Sequence, residues 1–536
     1  MLFEKPLIEY FPEGFTPRDK QAKGLQQIGE AINRGAKYII VQAPTGSGKS
    51  FISKTLSNIT NECEDDFRNL VFNYYAYDEA YAGAMEQFEP HGLFALTTTK
   101  ALQNQYKTLF DEATIFKGKT NYQCDVDDSA TVDHAPCVIA PKQKRACWDE
   151  HRCPYYESRN NAIMEKFTIL NYASFFNLPD HLKYRQIIVA DECSELEDEI
   201  VKNFSTVIDY KKLEQSDISY GSKLNSEIPT KALGWLTDLI GAVDKAIEAY
   251  TSRGKYENNK IEFIRQQYRR DLYESLIRVV DNWDKTQYII EKDSEKATFT
   301  PLKVDQLTHC LFDFADVVIL MSATIVDKDS FAKTLGIEKY EYVEIESTFD
   351  PKKSPIYCHS KYPLNYKTLN KFLPSVAEIA KTLADSHKDE KGIIHTHSFQ
   401  ITQALQKVLK GKRYLFREEG VTNEDIIMEH SVRTDDTVLV SPSLTMGLDL
   451  KGDLGKWQII IKLPYPSLAS KRVKKMFEDN PAWYRMRMLM ALVQASGRCT
   501  RSTEDESVTY ILDGLSAKTI VDNRKILPKH FFDRIV

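Results

Sequence analysis

Short apolar runs alternate with helix-like stretches along most of the chain. Strands buried on both faces by helices have this appearance, so the pattern predicts parallel sheets covered by helices. Four runs lie in the N-terminal part and three follow residue 346, which predicts two α/β units. The runs occupy residues 38–41, 93–96, 187–190, 317–320, 392–395, 438–440 and 458–461, and the clearest early helix covers residues 50–58.

The alternation is interrupted twice inside the first unit. Residues 112–165 are polar, contain cysteines and carry little strand signal. Residues 205–300 show helical periodicity, clearest at 232–250 and 260–283, and predict an all-helical insertion. The predicted division is therefore a first unit in three pieces and a second unit after them. The three pieces are residues 1–111, 166–204 and 301–345, and the second unit is residues 346–536.

Composition places the chain among folded proteins. Of its 536 residues 42% are hydrophobic and 28% charged, and the net charge is −6. These values exclude a disordered chain, a collagen-like chain and a disulfide-dense mini-protein. They disfavour a polybasic binder, but a local groove for nucleic acid is still allowed because binding depends on how charges are distributed.

The sequence also indicates a compartment. No apolar run approaches the roughly 18 residues that a membrane-spanning helix needs, and the N-terminus lacks the apolar core of a signal peptide. The nine cysteines are an odd number, which makes a disulfide framework a poor interpretation. We therefore expect a cytoplasmic protein that does not engage a membrane.

A glycine-rich segment between the first apolar run and the first helix has the pattern of a phosphate-binding loop, with alanine at its first position. Gly46 and Gly48 let backbone N–H groups turn toward phosphate oxygens, and the helix start adds a favourable dipole. Lys49 is expected to reach the outer phosphates of ATP, and the Ser50 hydroxyl to ligate Mg²⁺. The segment consists of Ala43, Pro44, Thr45, Gly46, Ser47, Gly48, Lys49 and Ser50.

Two acids follow the apolar run at 187–190. Asp191, at the predicted strand end, is expected to hold the Mg²⁺ shell, and Glu192 to orient and deprotonate the attacking water. The alternative is a surface acidic run, since more acids follow at 195–199. A strand that runs directly into Asp-Glu favours the catalytic interpretation.

Five further segments complete a set of motifs in a recognisable order. Together with the phosphate loop and the acid pair, they resemble the motifs of superfamily 2 helicases of the XPD/DinG type, and the resemblance covers both α/β units. The segments are residues 16–21 with Arg18 and Gln21, residues 97–105, Ser322-Ala323-Thr324, residues 441–449 with Thr445, Gly447 and Asp449, and residues 494–501 with Gln494, Arg498 and Arg501.

The resemblance implies an α/β fold with two RecA-like P-loop motor domains, an inserted iron–sulfur domain and an inserted helical arch domain. It implies that Arg18 and Gln21 lie on the adenine side, that residues 97–105 hold a nucleic-acid backbone, and that Gly447 and Asp449 belong to the nucleotide site. Residues 322–324 are implied to couple hydrolysis to movement.

The last motif also has an interpretation from spacing. If they are helical, Gln494, Arg498 and Arg501 share one face. Two guanidinium groups that project into a cleft suit triphosphate charge as arginine fingers. Alone, such a pair is more often a solvated surface, and only the order of the motifs favours catalysis.

The second motif departs from its family at one position. The usual sequence is Asp-Glu-Ala-His, and here Cys193 and Ser194 follow the acid pair. The histidine normally links the nucleotide to the coupling motif through a hydrogen bond. Ser194 can donate and accept such a bond but is shorter and cannot be charged.

Four cysteines lie between the first and second motifs. Cys124, Cys137, Cys147 and Cys153 lack the close pairs that zinc sites usually have. Spacing alone indicates a metal site but does not decide which metal it binds, and His134 and His151 could also serve as zinc ligands. The alternative is a set of free thiols. The resemblance implies a [4Fe–4S] cluster held by the four cysteines.

Aromatic and basic residues mark two possible contacts with nucleic acid. In the cysteine region, Tyr122, Trp148, Tyr155 and Tyr156 suit base stacking, or else pack the small domain. In the second unit, residues 471–487 interleave basic and aromatic residues. This run suits single-strand binding about as well as it suits a solvated helix.

The resemblance implies a monomeric, ATP-dependent DNA helicase that translocates 5′→3′ on single-stranded DNA and acts on single-stranded and forked DNA. The alternative is a DNA-stimulated ATPase that remodels protein–DNA complexes without processive unwinding. A nuclease built on the motor fold ranks below both, because no cluster of Asp, Glu and Lys typical of nucleases stands outside the motor motifs.

Overall fold

The computed structural model describes most of the chain. The described residues are 5–72, 83–85, 87–128, 130–135, 137, 153–251, 260–418, 420–442, 452–499 and 505–536.

The strands in the described residues form three sheets, of seven, six and three strands. In chain order they are β1 (Tyr38–Gln42), β2 (Leu93–Thr97), β3 (Thr114–Phe116), β4 (Phe167–Asn171), β5 (Arg185–Asp191), β6 (Thr206–Asp209), β7 (Tyr288–Lys292), β8 (Lys296–Pro301), β9 (Ala315–Ser322), β10 (Glu341–Glu344), β11 (Ile356–Cys358), β12 (Gly392–His395), β13 (Tyr414–Phe416), β14 (Val438–Ser441), β15 (Trp457–Ile460) and β16 (Val508–Ile511).

The α-helices of the described residues connect and cover these strands. They are α1 (Asp19–Asn33), α2 (Lys49–Asn58), α3 (Asp65–Phe72), α4 (Lys100–Leu109), α5 (Pro154–Met164), α6 (Tyr172–Phe176), α7 (Leu196–Asn203), α8 (Tyr210–Gln215), α9 (Pro229–Thr251), α10 (Lys260–Asp281), α11 (His309–Phe312), α12 (Lys328–Thr334), α13 (Leu369–Ser386), α14 (Phe399–Val408), α15 (Asn423–Val432), α16 (Lys471–Asp479), α17 (Pro481–Ser496), α18 (Ser516–Asp522) and α19 (Lys529–Phe532).

The seven-stranded sheet, with its helices, is called the first lobe. Its strand order is β10-β1-β9-β5-β2-β4-β3, and every described pair is parallel. The central strands are buried over most of their length, which explains why their sequences contain continuous apolar runs. All four strands predicted in the first unit are confirmed.

The six-stranded sheet, with its helices, is called the second lobe. Its order is β11-β16-β15-β12-β14-β13, again with parallel pairs. The three strands predicted after residue 346 are present as β12, β14 and β15. The fold class of two parallel α/β lobes is therefore confirmed.

The insertion at 205–300 is not all helical. Strands β6, β8 and β7 form an antiparallel sheet in that order, and it shares a core with α9 and α10 through residues such as Leu239, Leu276 and Phe299. The expectation of an all-helical insertion is wrong because these strands bury one face only. Their apolar residues alternate with polar ones, as in β8, instead of forming a run.

The flanks of residues 112–165 belong to the first lobe. Strand β3 pairs with β4 at the edge of the seven-stranded sheet, and α5 packs against α3 and β3. The sequence placed both elements in the cysteine insertion, because a strand of three residues gives almost no periodic signal.

An apolar core runs from the first lobe into the second. Leu196 and Ile200 of α7 belong to the same buried cluster as Trp483, Met486 and Leu489 of α17. Helix α17 also contacts α12 of the first lobe. The second lobe is therefore packed directly on the first lobe through α17.

None of the described helices is both long enough and apolar enough to cross a membrane.

Replacement of Gly392 by alanine tests the packing of the second lobe. A Cβ atom at this position would lie 2.1 Å from the ring of Trp457, which is fully buried. Overpacking of this kind costs about 1–3 kcal/mol, so we expect Gly392→Ala to lower the Tm measured by calorimetry.

Gly241→Ala is the matched control for that substitution. Gly241 lies in α9, and a Cβ atom there would meet nothing within 4 Å. Alanine is favoured over glycine inside a helix, so the Tm of this variant should be unchanged or higher. An unchanged Tm for Gly392→Ala would contradict the packing described.

Candidate functional site

The carboxyl ends of three adjacent strands bring the predicted motifs to one edge of the first-lobe sheet. Strand β9 lies between β1 and β5, with Ser322 opposite Gln42 and Met321 opposite Asp191. The phosphate loop follows β1, the coupling motif follows β9, and Glu192 follows β5. Parallel α/β sheets bind their ligands at this edge.

The loop between β1 and α2 has the backbone that its glycines predict. Gly46 and Gly48 have φ angles of +76° and +84°, which glycine adopts more readily than other residues. Gln21 donates Nε2–H to the Gly48 carbonyl at 3.2 Å, and Arg18 donates to the Gly46 carbonyl at 2.7 Å. Both side chains brace the loop, and their adenine role stays a prediction.

The donor groups of the loop fit a phosphate ligand. The Ser47 hydroxyl is buried, and within the described part of the chain it has no hydrogen-bond partner. Lys49 and Ser50 begin α2, so the free N–H groups at the start of this helix lie beside the loop. A nucleotide with Mg²⁺ suits this donor set, with Ser50 and Asp191 as the candidate Mg²⁺ ligands.

Lys49 pairs with both acids of the second motif. Its Nζ lies 3.3 Å from Oδ1 of Asp191 and also donates to Glu192. Burial alone would lower the pKa of Lys49, but the two carboxylates outweigh it and raise that pKa above its usual value. The lysine is therefore a permanent cation that holds the acids at the loop.

Buried tyrosines fix the position of Asp191. Tyr106 of α4 donates to Oδ2 of Asp191 at 3.1 Å, and its hydroxyl lies 3.0 Å from Ser53 Oγ. Tyr172 donates to the backbone carbonyl of Asp191 at 3.1 Å. Tyr106 carries no motif signal of its own, and only its place in the helix after residues 97–99 connects it to the site.

Ser194 keeps a hydrogen bond to the coupling motif. The Ser322 hydroxyl lies 3.1 Å from Ser194 Oγ and 3.3 Å from Oε2 of Glu192. Thr324 extends the network, with its N–H donating to Ser322 Oγ at 3.2 Å. The link usually made by histidine is thus made here by two hydroxyl groups, and Glu192 belongs to the same network.

One cavity of about 730 Å³ lies between the lobes and joins residues from most motifs. From the first lobe it is lined by Thr45, Glu192 and Thr324, and from the second by Gln494 and Arg498. Thr99 and Gln105, in the predicted nucleic-acid segment, line it as well.

The last motif is not one continuous helix. Helix α17 ends at Ser496, with Gly497 as its C-cap residue, so Arg498 follows the helix in a turn. The expectation that Gln494, Arg498 and Arg501 share a helical face is wrong for Arg498, because the helix ends two residues before it. Gln494 and Arg498 still line the same cavity.

Several predicted residues lie outside the described part of the chain. They are Thr445, Gly447, Asp449, Arg501, Cys147, Trp148 and His151.

The acidic run after Glu192 is buried in part. Glu197 of α7 is 4% exposed, and its carboxylate binds Arg472 at 2.6 Å and Trp483 Nε1 at 2.9 Å. Arg472 and Trp483 come from the run at 471–487, so for these two residues the single-strand interpretation is wrong. The sequence could not predict that they are buried against an acid of the first lobe, because they lie 275 and 286 residues from Glu197 in the chain.

Three of the four candidate cluster ligands are described. Cys124, Cys137 and Cys153 are buried, and Cys124 packs with Cys137 and Ala135. Burial raises the pKa of the Cys153 thiol, and Cys124 adds to that effect. In the described ranges no group of three His, Cys, Asp or Glu side chains is arranged to hold a metal ion, and Cys147 lies outside those ranges.

The aromatic residues of this region pack its interior. Tyr155 and Tyr156 of α5 are buried with Phe116 in the core of the first lobe. Tyr122 is hydrogen-bonded to Ser158 at 2.8 Å. The packing interpretation therefore holds for these residues.

Comparison with known proteins supports a helicase fold. Residues 382–530 match the family model described as a helicase C-terminal domain. The chain is 27% identical over 258 residues to the probable ATP-dependent helicase YpvA of Bacillus subtilis, which is 45% of this chain and 38% of that protein. It is 25% identical over 193 residues to the ATP-dependent DNA helicase YoaA of Haemophilus influenzae, which is 34% of this chain and 30% of that protein.

Solved structures match over nearly the whole chain. An XPD helicase has a TM-score of 0.64 at 17% identity and covers 95% of this chain and 98% of its own. The Xpd4 structure of S. tokodaii has a TM-score of 0.55 at 14% identity, with 96% and 99% coverage. These likenesses confirm the two-lobed motor fold that the resemblance to XPD/DinG-type superfamily 2 helicases implies.

Substitution of Glu192 by glutamine tests its role as the base. Glutamine keeps the shape of the side chain but cannot accept a proton, so ATP turnover should fall by a factor on the order of 10² or more. Nucleotide binding, measured by calorimetry, should remain.

Glu199→Gln is a matched control for this substitution. Glu199 lies in the first turn of α7 and does not line the cavity, so the variant should turn over ATP at the normal rate. Near-normal turnover in Glu192→Gln would remove Glu192 from the mechanism.

Proposed function

We propose that this chain is an ATP-dependent DNA helicase that translocates on single-stranded DNA in the 5′→3′ direction. The observation that carries the proposal is the interlobe cavity, which joins the phosphate loop and Glu192 to Gln494 and Arg498. The matched regions span 38% and 30% of the lengths of YpvA and YoaA, two proteins that are named as helicases. The polarity is the one that the XPD/DinG resemblance implies.

The residues of the first lobe would hold the nucleotide. The N–H groups of the loop and the Lys49 ammonium bind phosphate oxygens, while Ser50 and Asp191 hold Mg²⁺. The metal ion would supply charge neutralisation between the phosphates. Phosphate groups compete with the acids for Lys49, because all of them are anions within reach of one ammonium group.

Glu192 is then available to act on water. Its carboxylate accepts a proton from the attacking water, and the Ser322 hydroxyl, 3.3 Å from Oε2, keeps it oriented. From the second lobe, Arg498 approaches the negative charge on the phosphates. Closure of the cavity would thus couple hydrolysis to relative movement of the lobes.

Residues 97–105 are proposed to contact the DNA backbone. Thr99 caps α4 through a hydrogen bond from Leu102 N–H at 3.3 Å, and α4 also carries Tyr106, which binds Asp191. A strand held near the start of α4 would therefore be linked by one rigid helix to a Mg²⁺ ligand. This link supports stimulation of ATP turnover by DNA.

A [4Fe–4S] cluster held by Cys124, Cys137, Cys147 and Cys153 is part of the proposal. The burial of the three described cysteines, and the contact of Cys124 with Cys137, support a shared site. Thiolate ligands suit iron–sulfur clusters and also zinc.

The cluster is tested by composition. Protein prepared without oxygen should contain about four irons and four sulfides per chain and should absorb visible light. Cys124→Ser should lose the iron and the colour. Cys358→Ser changes a cysteine outside the proposed ligand set and should keep both. A colourless protein with stoichiometric zinc would contradict the cluster.

Unwinding of tailed duplexes tests the proposed function. The chain should separate a duplex with a 5′ single-stranded tail in an ATP-dependent reaction and leave a 3′-tailed duplex intact. Glu192→Gln should unwind neither. DNA-stimulated ATP turnover without strand separation would contradict a helicase and would favour remodelling of protein–DNA complexes, and unwinding from the 3′ tail would contradict the polarity.

A further inference from the structure

A buried ionic cluster joins the segment after Glu192 to the second lobe. Glu197 uses both carboxylate oxygens across this boundary, with Arg472 at 2.6 Å and Trp483 Nε1 at 2.9 Å. Arg472 also donates Nε–H to the carbonyl of Pro301 at 3.0 Å. An ion pair removed from water is held strongly by its partners, because loss of one leaves a buried charge unpaired.

Arg487 makes a second set of contacts from the same helix as Trp483. Its guanidinium pairs with Asp198 and lies 3.8 Å from Oε2 of Glu197. It also donates to the backbone carbonyl of Ser194 at 3.3 Å. Ser194 is two residues from Glu192, so Arg487 contacts the catalytic segment itself.

The far end of the same helix reaches the site. Gln494 lies seven residues, about two turns, beyond Arg487 in α17. Its Nε2 lies 3.4 Å from Oε1 of Glu195. Helix α17 therefore follows the segment from Ser194 to Asp198 along its length and brings Arg498, two residues past its end, to the cavity.

Apolar packing reinforces this alignment. Trp483 and Met486 of α17 share a buried cluster with Leu196 and Ile200 of α7. In the chain, α17 lies between β15 and β16 of the second lobe, but it packs in part against the first lobe. The ionic contacts then fix the register of α17, because apolar surfaces can slide whereas paired charges are directional.

We propose that Arg487 and Glu197 are positioning residues for ATP hydrolysis, which hold α17 in register so that Gln494 and Arg498 stay aligned with Glu192. The inference rests on the proposed function and deepens it. Neither residue contacts the nucleotide cavity directly. Arg487 connects the second motif to the second lobe through the Ser194 carbonyl, and Glu197 connects them through Arg472 and Trp483.

The inference is tested with Arg487→Met and Arg487→Lys in the full chain, assayed with ATP and a single-stranded oligonucleotide. Methionine keeps the length of the side chain and removes every donor. It should lower kcat at least about tenfold, since small misplacements of catalytic groups cost this much or more. The KM for ATP and the Kd for ADP should stay within about twofold of the parent, because these residues do not bind nucleotide.

Lysine should restore part of kcat. It keeps one charge for Asp198 but cannot reach Asp198 and the Ser194 carbonyl together in the same geometry. Glu199→Gln is the control, because Glu199 lies on α7 together with Glu197 and Asp198. This variant should leave kcat unchanged. The Tm of each variant shows whether the fold is intact.

A double variant keeps the test informative if Arg487→Met unfolds. Glu197→Gln together with Arg472→Met removes the buried pair without leaving an unpaired charge, so the fold should persist. This double variant should also lose kcat with little change in KM.

The outcomes separate the two proposals. If the parent chain hydrolyses no ATP, the proposed function fails. If the parent is active and the intact Arg487→Met variant has the same kcat, or loses kcat and ADP binding in parallel without recovery by lysine, the positioning role is overturned.

Discussion

Two buried carboxylates, at the end of β5 and in α7, are the constraint on which the rest of the molecule depends. Asp191 and Glu197 are almost completely buried, and burial of a carboxylate costs free energy unless cations and hydrogen-bond donors satisfy its oxygen atoms. Lys49 and Tyr106 answer this need for Asp191, and Arg472 and Trp483 answer it for Glu197. The same pairs connect the phosphate loop, helix α4 and the second lobe to one short segment.

This arrangement makes the departure at Ser194 less costly than its short side chain implies. The hydroxyl of Ser194 contacts Ser322 of the coupling motif, while its backbone carbonyl accepts a hydrogen bond from Arg487. Ser194 is therefore hydrogen-bonded to the coupling motif through its side chain and to the second lobe through its backbone. Replacement of histidine removes a titratable group from this position, so the link itself does not depend on the protonation of an imidazole.

Local patterns in the sequence predicted the buried strands and the phosphate loop, because each depends on the residue types within one short segment. The apolar runs and the loop glycines stand out because a doubly buried strand and a positive φ angle each restrict residue type. The antiparallel strands β6 to β8 were missed because they bury one face only and so form no continuous apolar run. The end of α17 at Ser496 was missed because the spacing argument assumed a helix that continues to Arg501. The burial of Glu197 was not predictable, since its partners lie 275 and 286 residues away and an acidic run is usually solvated.

The central claim is that paired buried charges hold the hydrolytic residues of both lobes in register while Lys49 changes partners. A structure of the chain with single-stranded DNA, Mg²⁺, ADP and a phosphate mimic measures this directly. The account predicts that Lys49 contacts the phosphate mimic instead of Glu192, while Glu197 keeps its contacts with Arg472 and Trp483 and Arg498 faces the phosphates. A structure in which the nucleotide is bound and the contacts of Glu197 are broken would contradict it.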